Sequence, residues 1–201
     1  MPKPIVVYGF ETSNNFKVRV ALRYKGIPFE FRTIDPADRT VPMQLTGQPL
    51  TPVLTHGDVV MFDSAAILRY LDANFPDTPR LFGGDYDTLR EIEAWEGWAR
   101  TELAAPLMIM VHQRLAGRDD AGERQRAQEL LEAACERLES RLSEHQWLVA
   151  DRLTGADVTC APVIYRVQVA GILPLPSGID HTIAWMQRVI EYDAGPCAPG
   201  E

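Results

Sequence analysis

Cysteine is scarce. There are three in 201 residues, Cys135, Cys160 and Cys197, widely spaced and without a CxxC pair. Such usage suits a reducing compartment and offers no metal site. Basic residues are outnumbered, 20 Lys+Arg against 28 Asp+Glu, for a formal net charge of −8 and a pI near 5.0. That balance argues against nucleic acid, whose binding runs on clustered Lys and Arg neutralising phosphates. No apolar run reaches the ~18 residues of a membrane span. No signal peptide is apparent either, since Met1-Pro2-Lys3-Pro4 leads straight into the strand-like Ile5-Val6-Val7-Tyr8. What is present is ordinary globular composition, 46% hydrophobic and 24% charged, which excludes general disorder. The length permits one large domain or two small ones. A soluble, cytoplasmic protein is expected.

The two ends of the chain read differently. Residues 5–8 form an apolar run of strand length closed by Gly9. Residues 16–25 carry Val18, Ala21 and Leu22 on one helical face, with Gly26 as a stop. Residues 28–34 alternate Phe29 and Phe31 with Glu30 and Arg32, the pattern of a half-buried strand. Residues 35–48, with Pro36, Pro42 and Gly47, read as a loop with at most a helical turn. Residues 53–55 and 59–62 flank His56-Gly57-Asp58 as a hairpin, and Ile67, Leu68, Leu71 and Phe75 follow at helical spacing. The order is β-α-β-loop-β-β-α.

Residues 78–86, rich in turn formers, read as a linker. Beyond it no strand pattern occurs. Residues 87–116 make one long amphipathic stretch, with Leu89, Ile92, Trp95 and Leu103 among its apolar positions and a kink expected at Pro106. Residues 121–144 bury a stripe of Leu130, Leu131, Ala134, Leu138 and Leu142, while the Glu/Arg runs of 119–141 read as a solvated face. Residues 154–170 and 182–192 are two further helices, and the tail from Gly195 reads as loose. The chain thus divides into an α/β domain over 1–77, a linker over 78–86 and an all-helical domain over 87–201.

Three motifs recur here in one order. They are Leu50-Thr51-Pro52-Val53-Leu54 followed by Phe62-Asp63-Ser64-Ala65-Ala66-Ile67-Leu68-Arg69-Tyr70-Leu71; Tyr8-Gly9 with Ser13-Asn14-Asn15-Phe16-Lys17-Val18-Arg19; and Leu153-Thr154-Gly155-Ala156-Asp157-Val158. Together they resemble the cytosolic glutathione transferase superfamily, of bacterial type and similar to its theta and zeta serine classes. The resemblance covers nearly the whole chain and implies a thioredoxin-like N-terminal domain followed by an all-α domain. It also implies glutathione as co-substrate, a homodimer, a cis Thr51–Pro52 peptide, and Thr51 pairing its outward N–H and C=O with the cysteinyl unit of glutathione by strand addition.

The residues themselves have matching chemistry. Asp63-Ser64 lies where a strand gives way to a helix, so unpaired N–H groups and the helix dipole favour an anion there. Ser64 then adds a hydroxyl to the γ-glutamyl carboxylate, and Asp63 either faces the α-ammonium or caps the helix. A thiolate is needed at neutral pH, whereas a free thiol has a pKa of ~8.5. A donated hydrogen bond and a nearby helix N-terminus both lower it. Counting back from Val18, Thr12 aligns with the catalytic serine of the theta-like and phi-like classes, whereas the resemblance to the bacterial pattern, read here as Ser13-x-Asn15-x-Lys17, selects Ser13, which we prefer, with Asn15 as a second donor. No cysteine precedes Cys135, which argues against the cysteine-bearing classes and their mixed disulfides.

Arg39, Gln44 and Gln48 are candidates for the glycyl carboxylate of glutathione. Met108, His112 and Tyr165 are weaker candidates to line the electrophile's pocket, against the plainer reading of a Met stripe as core. Thr154-x-x-Asp157 is most simply a capping box. The leading expectation is a glutathione transferase conjugating the thiolate to a small apolar electrophile. Glutathione-dependent isomerase or lyase chemistry and a non-catalytic binding or assembly module are the alternatives.

Overall fold

Four short strands, β1 (Ile5–Gly9), β2 (Phe29–Thr33), β3 (Val53–His56) and β4 (Val59–Phe62), pair in the order β2-β1-β3-β4. β1 runs parallel to β2 and antiparallel to β3, and β3 and β4 form the antiparallel hairpin around Gly57. This computed structural model describes residues 4–193; Cys197 and the tail from Gly195 lie outside the described residues. The chain forms two compact units, one of residues up to Phe82 together with those from Ile190, the other Gly83–Val189.

In the first unit, α1 (Ser13–Tyr24) and α3 (Ser64–Asn74) supply Val18, Leu22, Ile67 and Leu71 to a core completed by Val7 and Leu54, all without exposure. The segment read as a loop holds a two-turn helix, α2 (Thr40–Thr46). Pro42 sits within its first turn, where no intrahelical N–H is needed, and Gly47 closes it at φ 73°. α1 begins three residues earlier than its apolar face indicates, because Thr12 caps it. Part of the expected linker is anchored to this unit. Buried Lys25 pairs with Asp72 at 2.7 Å, and Asp72 accepts the N–H groups of Leu81 and Phe82.

A second anchor uses the return of the chain. Buried Arg19 donates to Asp193 through Nε and Nη2 and to Glu11 through Nη1 at 2.8 Å, while lying over the rings of Phe16 and Phe31. Burial opposes the charge, but the two carboxylates outweigh it and raise the Arg19 pKa further.

The second unit is helical: α4 (Tyr86–Trp98), a π-helical turn (Ala99–Leu103), α5 (Ala105–Leu115), α6 (Ala121–Leu142), α7 (Gly155–Ala170) and α8 (Asp180–Ile190). The break in the long stretch falls on the π turn rather than at Pro106, which sits in the first turn of α5 where its missing N–H costs nothing. Leu89 and Leu130 are 37% exposed; the buried stripe of α6 is Ala127, Leu131, Ala134, Cys135, Leu138 and Leu142. Asp157, fully buried at the start of α7, accepts from Thr154 N, Thr154 Oγ1, Leu148 N and Trp185 Nε1. Burial pushes its carboxyl above the ordinary range against the pull of those four donors. No helix among the described residues is long and apolar enough to cross a membrane.

The acidic face of α6 is not wholly solvated. Glu139 accepts His181 N and Nδ1 on one oxygen, and Thr182 N and Oγ1 on the other, so it caps α8 from a neighbouring helix. Partial burial disfavours its charge, but these bonds outweigh that and hold the carboxyl below its usual 4.5. Its contribution is therefore complete above about 4.5 and lost as pH falls through the lowered folded value. Glu139→Gln is expected to cost roughly 1–2 kcal/mol in urea melts at pH 7, a difference that narrows by pH 3. A gap that stays constant with pH overturns this reading.

Candidate functional site

The end of β1 delivers Phe10, Glu11 and Thr12 to the start of α1. Thr12 has extended backbone (φ −136°, ψ 159°), so its side chain can turn back on the first helical turn and accept Asn15 N–H at 3.3 Å. Asn15 is buried, and its Nδ2 donates to Thr12 Oγ1 at 2.7 Å and to Thr51 Oγ1 at 3.0 Å. One amide thus joins the α1 cap to the segment before β3, 36 positions away in sequence. Ser13 is the first residue of α1 rather than its cap, and its hydroxyl has no partner among the described residues.

The Thr51–Pro52 peptide is cis. Pro52 is buried and Thr51 half-buried, and the Thr51 N–H and C=O have no partner among the described residues. At the start of α3, Ser64 Oγ donates to Asn14 Oδ1 at 3.3 Å, which brings the two helix N-termini together. Asp63 Oδ1 caps α3 through Ala66 N–H at 2.9 Å, from a backbone at φ 71° that asparagine and aspartate tolerate better than most residues. The N–H groups of Ser13 and Asn14 on α1, and of Ser64 and Ala65 on α3, stay unpaired among the described residues. The structure therefore gathers Thr12, Ser13, Asn15, Thr51, Asp63 and Ser64 at one end of the first unit, with two helix dipoles positive there.

Gln48 is committed elsewhere. Its Nε2 donates to Thr46 Oγ1 and Leu50 O, and its Oε1 accepts Leu50 N–H at 2.6 Å, so it staples its own loop. Arg39 lies 4.5 Å from the Phe10 ring centroid and carries no ion pair among the described residues. Met108, 44% exposed, and His112, also exposed, stand on α5, and half-buried Tyr165 on α7; Met108 is therefore not core. The described thiols are inert, with Cys160 buried and burial pushing Cys135 up to about 12.

Arg19 and Asn14 escaped the sequence reading. Arg19 braces Glu11, the residue before Thr12, and its signal was a cation inside the apolar run of Val18 and Val20. Asn14 gave no signal, since its role depends on a contact 50 positions away.

Residues 7–79 match the family model of the glutathione S-transferase N-terminal domain, and residues 99–193 that of the C-terminal domain. The chain is 41% identical to glutathione S-transferase 1 of Dianthus caryophyllus over 80 residues, 37% of this chain and 36% of that one. It is 27% identical to glutathione S-transferase F10 of Arabidopsis thaliana over 197 residues, 92% and 91% of the two chains. A glutathione S-transferase structure from Rhodospirillum rubrum F11 superposes with a TM-score of 0.79 at 22% identity, covering 92% of this chain and 87% of that one, and so shares its fold. Both domain models fall in order on one chain, the first on the four-stranded unit and the second on the helical one, and this protein belongs to the cytosolic glutathione S-transferase superfamily.

Proposed function

We propose that this protein is a glutathione transferase that holds glutathione as a thiolate and adds it to a small apolar electrophile. The observation that supports this most is the Thr12–Asn15–Thr51 network, which ties an activating hydroxyl to the segment before β3, where Thr51 has a free backbone N–H and C=O. In this reading the cysteinyl unit pairs with Thr51. The γ-glutamyl carboxylate takes the free N–H groups of Ser64 and Ala65, Asp63 faces the ammonium, and Arg39 supplies charge for the glycyl carboxylate. Thr12 and the α1 dipole stabilise the sulfur. Its Oγ1 already accepts two hydrogen bonds, so its proton remains to donate, which favours Thr12 over Ser13.

The thiolate lone pair then forms the S–C bond. The leaving group departs with its bonding pair, or in an addition the adjacent carbon takes a proton. The enzyme's share is positioning and charge stabilisation. The co-substrate class, and a homodimer in the cytoplasm, complete the proposal.

The test is retention on immobilised glutathione and elution by free glutathione, followed by turnover of a panel of small electrophiles that includes a cis-alkene for isomerisation. Light scattering on the eluted protein is expected to give twice 22.5 kDa. Failure to bind the resin sinks the proposal; binding without turnover of any panel member leaves the non-catalytic module as the function.

A further inference from the structure

Asn15 is buried to 0% exposure, and the orientation of its amide is unusual in what it leaves undone. Both Nδ2 protons go to hydroxyl oxygens of the protein, Thr12 Oγ1 at 2.7 Å and Thr51 Oγ1 at 3.0 Å. None is left for a sulfur, so Asn15 is not the second thiolate donor its position implies. Its Oδ1 is buried without a hydrogen-bond partner and packs against Gly9, where any Cβ would collide with the amide. The amide is thus pinned from both sides, and an unsatisfied acceptor is retained in the process.

The consequence falls on the hydroxyls. A hydroxyl has one proton to give and two lone pairs to accept with. Thr12 Oγ1 accepts from both the N–H and the amide of Asn15, so its acceptor capacity is filled and its proton points elsewhere. Thr51 Oγ1 also accepts from the amide, and its proton has no acceptor among the described residues. Aspartate in the same place has the same shape and the opposite polarity: it would draw both protons to itself.

We infer that Asn15 is a positioning residue that, by donating to the Thr12 and Thr51 hydroxyls at once, turns both protons outward toward bound glutathione. This rests on the transferase reading above, and deepens it by giving the donor direction of Thr12 a cause within the protein.

The experiment is a thiolate absorbance titration of bound glutathione, with kcat and KM measured across pH, on wild type and the variants Asn15→Ala, Asn15→Asp, Thr12→Ala and Thr12→Ala/Asn15→Ala. Asn15→Ala is expected to raise the thiol pKa by about one unit, a tenfold loss of thiolate near neutrality. Asn15→Asp should raise it further, since reversed hydroxyls and an added charge act in the same direction, with kcat recovering at high pH and KM for glutathione changing less than threefold. In the double variant Asn15→Ala should add at most a small further shift, the part carried by Thr51, because its main effect runs through Thr12. Should Asn15→Asp not fold, Asn15→Ser and the double variant carry the same test. An unmoved titration in Asn15→Ala, with Thr12→Ala shifted, overturns the inference and leaves the transferase reading standing. A wild type with no bound thiolate overturns that reading first.

Discussion

Thr12→Ala is expected to raise the pKa of bound glutathione's thiol by about one to two units and to lower turnover at pH 7 by roughly ten- to a hundredfold. A hydrogen bond to a charged group is worth ~1.5–3 kcal/mol, and one pKa unit corresponds to ~1.36 kcal/mol. Glutathione affinity should change little, because the proposed binding contacts lie at Thr51, Asp63 and Ser64. Thr12 also caps α1, so the same variant should lose about 0.5–2 kcal/mol of stability. Thr12→Ser keeps the oxygen and should restore both properties. Ser13→Ala should move the titration less. The reverse order of the two alanine variants transfers the role to Ser13, and no movement in either, singly or combined, removes the hydroxyl mechanism and leaves the helix N-terminus as the source of activation.

Asp157→Ala should be the most destabilising single change in the second unit. Its carboxyl, at 0% exposure, is the shared acceptor of Thr154 N and Oγ1, Leu148 N and Trp185 Nε1. Removing it leaves donors in a site water does not reach, and each stranded buried donor costs about 1–3 kcal/mol. The sum is not additive, and a loss of roughly 3–5 kcal/mol is expected, well beyond the ~0.5–2 kcal/mol of a cap alone. In a chain of this size that lowers Tm on the order of 10 °C. Asp157→Asn, which keeps one acceptor oxygen, should fall between. Glutathione binding by the remaining folded protein should be unaltered, and a melting shift of only a degree or two shows that the four donors find other partners.

The β1, β3 and β4 strands were legible because each is a short apolar or alternating run ended by Gly9, His56-Gly57-Asp58 or Asp63. α2 was not, since Pro42 inside its seven residues and Gly47 just after them outweigh its single buried position, and only the packed structure shows that both stand at helix ends. The start of α1 was obscured in the same way. Ser13-Asn14-Asn15 has the composition of a turn, and it becomes helix because Thr12 satisfies the Asn15 N–H. At the site, Thr51-Pro52 and Asp63-Ser64 stood out by residue type and position. The bonds that join each of them to α1, Asn15 to Thr51 and Ser64 to Asn14, span 36 and 50 positions and leave no local trace. The same limit applies to Glu139, whose partner helix begins some forty residues later, whereas the amide of Gln48 is consumed by Thr46 and Leu50, two positions away on either side.

The Arg19 anchor carries a consequence for synthesis on the ribosome. Arg19, Phe16 and Phe31 emerge early, and Glu11 is already beside them, but Asp193 follows Phe82 by more than a hundred residues. At ~5–20 residues per second, the interval before Asp193 is made is several seconds to about twenty. Throughout it the nascent first unit holds a guanidinium whose bidentate carboxylate does not yet exist. The order of translation and the order of completion therefore differ: the unit whose residues appear first is closed last, after the helical unit has been made.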